Sequence, residues 1–252
     1  MNIQYTKDYL LDKKVTIFQP IDGYRASTDA VLLSAMIDDN IKNVKILDVG
    51  SGTGAISLCL AQRLKDNNVQ IKGLELQTQL CELANLSAQQ NEFDFVKFFN
   101  IDIGEKIKHP ELAYCSFDIV ITNPPYSDHD MPSPNKSKAS AHNHSISGLT
   151  EWINFCLKML KPYGKIYMVN RVEALPEICC ALQKKAGNLT ILPIYSKENQ
   201  KAKRIIISAQ KDSKSPCNIL RNFITHDNEG KYTSDAQKIL REGFSFNDIN
   251  IF

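Results

Sequence analysis

Apolar residues follow two alternating rhythms along this chain. Compact apolar runs at Lys45–Val49, Val69–Leu74, Phe95–Phe99 and Asp118–Thr122 read as buried strands. Between them the apolar positions recur at helical spacing. Gly54–Leu64 places Ala55, Ile56, Leu58, Leu60, Ala61 and Leu64 on one side, and Thr78–Asn91 is the next helix. The pattern continues with a helix over Thr150–Leu160, opened by Thr150 and Glu151, whose acid suits the positive helix end. A tight turn, Lys161 to Gly164, leads into a strand over Lys165–Val169. A helix over Glu173–Lys185 follows, and Leu189–Tyr195 and Arg204–Ala209 close the pattern as a pair of strands. Upstream, Val15–Phe18 reads as a strand and Gln19–Gly23 as a turn. Asp29–Met36 is a short helix capped by Thr28 or Asp29. Repeated strand–helix alternation predicts an α/β fold, a mostly parallel sheet with helices on both faces.

Three interruptions of this rhythm fall just after strands, where open α/β sheets bind ligands. The first is Gly50-Ser51-Gly52-Thr53-Gly54, after the strand that ends in Asp48-Val49. Glycines let a backbone pass close beneath a ligand and adopt positive φ without strain. The spacing is G-x-G-x-G, unlike the G-x-G-x-x-G of dinucleotide folds. The second is Glu75, about 20 residues beyond the turn, where an acid can accept both hydroxyls of a ribose. The third is Asn123-Pro124-Pro125-Tyr126. Two prolines cannot donate ladder hydrogen bonds, so the chain leaves the sheet there, stiff and extended. Main-chain carbonyls and the Asn123 amide are then turned outward, with an aromatic face one step on. Such a site can accept hydrogen bonds from a planar amino group while Tyr126 stacks on its ring. A proline turn that merely ends a strand is the plain alternative.

Taken together, Asp48 through Gly54, Glu75, Asp102 and Asn123 through Tyr126 resemble the class I methyltransferases that use S-adenosylmethionine. The Asn-Pro-Pro-Tyr type resembles those that methylate an exocyclic or amide nitrogen. Asp22-Gly23-Tyr24-Arg25-Ala26-Ser27-Thr28-Asp29 and the tail from Lys201 to Ala236 are similar to the tRNA1(Val) adenine-N6 methyltransferase family, in its short bacterial form. The resemblance implies a Rossmann-like sheet of seven strands, mostly parallel, with an antiparallel last strand. It implies S-adenosylmethionine as cofactor and the exocyclic N6 of an adenine in valine tRNA, next to the anticodon, as target. Asn123, Pro124 and Tyr126 would be the catalytic positions. Arg25, Thr28, Asp48, Gly50, Gly52, Glu75, Asp102 and Asn123 would bind the cofactor. Within that set Glu75 would take the ribose hydroxyls, Asp102 the adenine amino group, and Arg25 and Thr28 the methionine carboxylate. Asp102 also reads as an ordinary turn acid, Arg25 as a surface cation and Thr28 as a helix cap.

Composition narrows the picture. A chain of 252 residues, 43% apolar, is long enough for one sizeable core. We expect 1–252 to form a single methyltransferase domain. Residues 1–40 would hold an N-terminal strand and the cofactor-adjacent motif, 127–148 a long polar loop, and 189–252 the C-terminal strands and basic stretch. No apolar run approaches a membrane span and Met1–Thr6 lacks a signal-peptide layout, so a cytoplasmic protein away from membranes is expected. Seven cysteines without a C-x-x-C pair suit free thiols in a reducing compartment, and no zinc site is expected. His142-x-His144 lacks a third ligand, so no metal is expected there. A monomer is expected.

The net charge is only +2, so composition alone does not announce a nucleic-acid binder. Distribution says more. Seven basic residues against two acids lie between Lys197 and Arg221, including Lys201, Lys203 and Arg204. Such a stripe can neutralise phosphates, or it can guard an edge strand against aggregation. The polar segment Ser127–Gly148 directly follows Tyr126 and carries Lys136 and Lys138, further candidates for RNA contact. Two other substrates share these motifs, a guanine N2 in rRNA and a protein glutamine amide. The second is disfavoured because only 47 residues precede Asp48 and they include a strand. A DNA adenine methyltransferase would need a target-recognition domain, for which this chain has no room. A non-catalytic scaffold would have no use for the acceptors at Asn123–Tyr126.

Overall fold

A computed structural model describes residues 4–23, 25–125 and 148–252. Its centre is a sheet of nine strands. In chain order these are β3 (Lys45–Val49), β4 (Gln70–Glu75), β5 (Val96–Asn100), β6 (Phe117–Thr122), β7 (Leu160–Arg171), β8 (Ala186–Tyr195), β9 (Arg204–Lys211), β10 (Asn218–Ile219) and β11 (Phe223–Ile224). The spatial order is β10-β8-β9-β7-β6-β3-β4-β5, with β11 also beside β8. Strands β5, β4, β3, β6 and β7 are mutually parallel, and β9 runs antiparallel between β7 and β8. The seven expected strands are therefore all present, with an antiparallel β9. The two-residue strands β10 and β11 extend the sheet beyond that expectation. From β3 the chain first winds outward through β4 and β5, then returns to β6 on the other side. The order thus reverses between β3 and β6, the switch point at which such sheets open a crevice.

Alternation along the strands builds two cores. Ile46, Ile71, Ile119, Ile121 and Val169 face one cluster with helices α1 (Thr28–Ser34), α2 (Ala55–Leu64) and α3 (Thr78–Gln90). Leu47, Val49, Leu74, Val120 and Met168 face the other, with α4 (Leu149–Met159) and α5 (Leu175–Leu182). Near-continuous burial, with successive side chains sent to opposite cores, is what a doubly covered sheet requires. No described helix is long and apolar enough to cross a membrane.

Four local readings differ from the structure. A first strand, β1 (Tyr5–Leu10), pairs antiparallel with β2 (Val15–Pro20) in a separate hairpin. The outward edge of β2 is covered by α3: Thr16 N donates to Asn91 Oδ1 (2.8 Å) and Phe18 N to Ser87 Oγ (2.9 Å). The cap of α1 is Ser27, whose Oγ accepts from Asp29 N, not Thr28 or Asp29. Residues Lys161–Gly164 form a bulge inside β7 rather than a turn before it, since Leu160 already pairs with Phe117 before Lys165 pairs with Ile119. The helix expected over Glu173–Lys185 is a 3-10 turn, Val172–Ala174, followed by the shorter α5. It stops because Gln183 is extended and Lys184 has φ +63°.

Candidate active site

The site begins with Asp48, fully buried near the carboxyl end of β3. Its Oδ2 accepts a hydrogen bond from Ser57 Oγ of α2 at 2.8 Å, while Oδ1 has no partner among the described residues. Burial pushes this carboxyl up to about 7, the Ser57 bonds oppose the rise, and the nearby charge of Glu75 adds to it. A carboxyl raised above its unfolded value contributes stability that is complete below the unfolded value. The contribution is lost as pH rises through the folded one. Stability carried by Asp48 should therefore fall between about pH 4 and about pH 7. Urea unfolding of the wild type and Asp48→Asn at pH 5 and pH 7.5 should show a steeper decline in the wild type; equal declines would exclude this account.

Beyond β3 the backbone turns sharply. Gly50 and Gly54 take φ +73° and +85°. A Cβ on Gly50 would lie 2.8 Å from Cζ2 of Trp152, and one on Gly54 2.6 Å from Cζ of Phe98. Only glycine fits both positions. Gly50 N and Ser51 N both donate to the Leu74 carbonyl at 2.9 Å, which ties the turn to β4. Glu75, the last residue of β4, completes the tie. Its Oε2 accepts from Gly52 N and its Oε1 from Gln77 N, each at 2.8 Å. Burial raises its carboxyl, and the backbone N–H bonds hold it partly down. Each carboxylate oxygen keeps further acceptor capacity for a ligand hydroxyl. Asp102 follows β5 at the same sheet edge, where its Oδ1 accepts from Gly104 N at 2.8 Å.

Across the switch point, Thr122 of β6 stands opposite Val49 of β3, so Asn123 comes level with Gly50. Five buried side-chain polar atoms find no hydrogen-bond partner among the described residues. Four of them, Asp48 Oδ1, Ser51 Oγ, Thr53 Oγ1 and Asn123 Oδ1, belong to the strand ends and turn around this switch point. Buried polar groups are rarely left unpaired. A cluster of them fits a polar ligand lying against the glycine turn and Asn123.

Other expected positions lie around this centre. Arg25 is held by the hairpin: its Nη2 lies 2.7 Å from Asp8 Oδ2, and its Nη1 donates to Thr6 Oγ1 and the Pro20 carbonyl. Thr28 opens α1 and is exposed. Its neighbour Asp29 pairs with Arg204 Nε at 3.0 Å. Arg204 starts β9 opposite Arg171, the last residue of β7, so it stands at the carboxyl edge of the sheet. Lys201 and Lys203 are exposed in the connection from β8 to β9, at that same edge. Tyr126, Lys136 and Lys138 lie outside the described residues, as does Tyr24. Among the described residues no cluster of His, Cys, Asp or Glu could hold a metal ion.

Sequence reasoning missed Ser57, Thr122 and Trp152. Trp152 Nε1 donates to Thr122 Oγ1 at 2.9 Å, and Thr122 Oγ1 donates to the Val49 carbonyl at 2.7 Å. Trp152 is the only tryptophan in the chain, and that rarity is the one sequence signal that could have drawn attention to it.

Comparison with known proteins fits this geometry. The family described as a methyltransferase domain matches residues 40–233. A tRNA1(Val) (adenine(37)-N6)-methyltransferase of Actinobacillus pleuropneumoniae is 29% identical over 88% of this chain and 91% of its own length. The protein of that name from Histophilus somni is 28% identical over 93% of this chain and 96% of its own. Among solved structures, a predicted O-methyltransferase from Agrobacterium tumefaciens superposes with a TM-score of 0.70 at 23% identity. It covers 86% of this chain and 98% of that one. TYW2 of M. jannaschii, solved in complex with AdoMet, gives 0.56 at 12% identity, covering 83% of this chain and 87% of that one. At these identities the structural likenesses establish the fold.

Proposed function

Because the chain belongs to the methyltransferase-domain family, we propose that it uses S-adenosylmethionine to methylate the exocyclic N6 of an adenine in tRNA. The observation that carries this reading is Asn123 Oδ1, a buried acceptor without a partner among the described residues, level with the glycine turn. S-adenosylmethionine supplies a methyl group on a sulfonium, already joined to a good leaving group. What remains for the protein is alignment and charge stabilisation. An aromatic amine is a poor nucleophile because its lone pair is delocalised into the ring. Asn123 Oδ1 and the Pro124 carbonyl would accept its two N–H groups and favour the pyramidal amine. They would also stabilise the positive charge that develops on nitrogen. No general base is needed before transfer. Tyr126 would hold the unpaired base by stacking, worth about 1–3 kcal/mol.

For the cofactor, Glu75 would accept from the ribose and Asp102 from the adenine amino group. Gly50 and Gly52 would back the methionine part, with Thr28 near its carboxylate. Arg25 is engaged with Asp8, so its part would be to fix the segment before α1 against the hairpin. The adenine and the tRNA are supported by the names of the relatives and by Asn123-Pro124-Pro125-Tyr126. Incubation with labelled S-adenosylmethionine and undermodified tRNA, followed by nucleoside analysis, tests the reading. N6-methyladenosine is expected; label in guanosine or in a protein amide would refute it.

The basic connection between β8 and β9 is the proposed phosphate contact. Arg204 pairs with Asp29, so its removal would also disturb α1. Lys201 and Lys203 are exposed and test the idea cleanly. Each phosphate contact adds about 0.7 to the salt slope for single-stranded RNA. Lys201→Ala with Lys203→Ala should weaken tRNA binding and flatten that slope by about 1.4, with S-adenosylmethionine affinity unchanged. Identical slopes would make this stretch a guarded strand edge.

A further inference from the structure

We propose that Trp152 is a positioning residue for methyl transfer, acting with Thr122 to fix the amine acceptor Asn123 relative to the glycine turn. The inference rests on the methyltransferase reading of the site. Trp152 is buried in α4, on the face of the sheet away from α2. Its indole reaches both sides of the switch point. On one side, Nε1 donates to Thr122 Oγ1 at 2.9 Å, and Thr122 is the residue before Asn123. On the other, Cζ2 lies where a Cβ of Gly50 would come within 2.8 Å, so ring and glycine backbone are in contact. Thr122 closes the circuit by donating to the carbonyl of Val49, the residue before Gly50, at 2.7 Å. The carrier of the acceptor and the carrier of the glycine turn are thus joined twice, through one hydroxyl and through one ring.

The residue types follow from hydrogen-bond arithmetic. The Thr122 hydroxyl spends its only proton on Val49, so its remaining partner must be a donor. Indole N–H is a donor with no acceptor capacity, which fixes the direction of the chain from Trp152 through Thr122 to Val49. A fully paired buried chain of this kind is stiff. Stiffness between β3 and β6 is what a displacement reaction needs, since misplacing reacting groups by about 1 Å can cost about 100-fold in rate. Neither side chain needs to touch the reacting atoms.

The test uses Thr122→Val, Thr122→Ser, Trp152→Phe and the Thr122→Val/Trp152→Phe pair in the full chain. The readouts are turnover and KM for tRNA, S-adenosylmethionine affinity by calorimetry, and melting temperature. Thr122→Val keeps the side-chain shape but removes the hydroxyl, so turnover should fall about 10-fold or more while KM and cofactor affinity stay within about twofold. Trp152→Phe should do the same, and Thr122→Ser should restore most of the turnover. The pair should lose little more than either single change, because both cut one chain. Unchanged turnover in Thr122→Val would overturn the proposal, as would losses in the pair that multiply. Loss of the fold in both single variants would also overturn it, since the residues would then serve the core alone. If the wild type itself fails to methylate tRNA, the functional reading falls instead, which separates the two failures.

Discussion

Asn123→Ala should lower turnover by about 100-fold or more, a far larger loss than any it causes in S-adenosylmethionine affinity. The size follows from where the lost acceptor points. Asn123 follows β6 at the switch point, its Oδ1 is buried, and no described residue satisfies it. An acceptor held in place before the substrate arrives needs no reorganisation when charge builds on the amine. In the ground state the amine is neutral and the same bond is worth far less. The loss should therefore fall on turnover rather than on binding. Single-turnover methylation of tRNA with saturating cofactor is the measurement. A variant that transfers methyl groups at the parental rate would remove Asn123 from the chemistry.

Glu75→Ala should act on the other ligand. A hydrogen bond to a charged group is worth about 1.5–3 kcal/mol, so cofactor affinity should weaken about 10- to 150-fold. The structure adds a second route to the same loss, because Glu75 Oε2 holds Gly52 N and Oε1 holds Gln77 N. Removing the carboxylate frees the glycine turn as well as the ribose acceptor. Glu75→Gln keeps one acceptor oxygen and should lose less than Glu75→Ala. Titration calorimetry with S-adenosylmethionine decides it, and unchanged affinity in a folded Glu75→Ala protein would place the cofactor elsewhere.

The parallel centre of the fold was legible because its strands are buried on both faces, so each reads as a compact apolar run. Their helices carry clear one-sided spacing. The hairpin was not legible in full. Its turn, Leu11-Asp12-Lys13-Lys14, contains no glycine, asparagine or proline, yet Leu11, Asp12 and Lys13 all have positive φ. Half-exposed β1 also buries too little to leave an apolar pattern. The cap of α1 was misplaced by one or two residues among three adjacent good caps, Ser27, Thr28 and Asp29.

At the site, a glycine turn, an acid and an Asn-Pro-Pro-Tyr run announce themselves by local geometry. The structure brings Asp48, Gly50, Gly52, Glu75 and Asn123 to the carboxyl end of three neighbouring strands. What stayed hidden are partners that meet only across the fold. Ser57 reaches Asp48 from α2, and Trp152 reaches Thr122 from α4, 30 residues away. Arg25 adds a further case: resemblance gave it a ligand contact, and the structure shows its pairing with Asp8 on a strand that the sequence pattern had not marked.

The insertion of β9 between β7 and β8 has a consequence for how the protein is made. A ribosome releases β7 and β8 before β9 exists, yet the two are not neighbours in the finished sheet. Until residue 211 has emerged, β7 presents an open edge, and so does β8. The nascent chain must keep a slot between them the width of one strand, or pair them wrongly and undo it later. Half of the sheet can therefore be completed only late in synthesis, and the slow step of folding should lie in filling that slot.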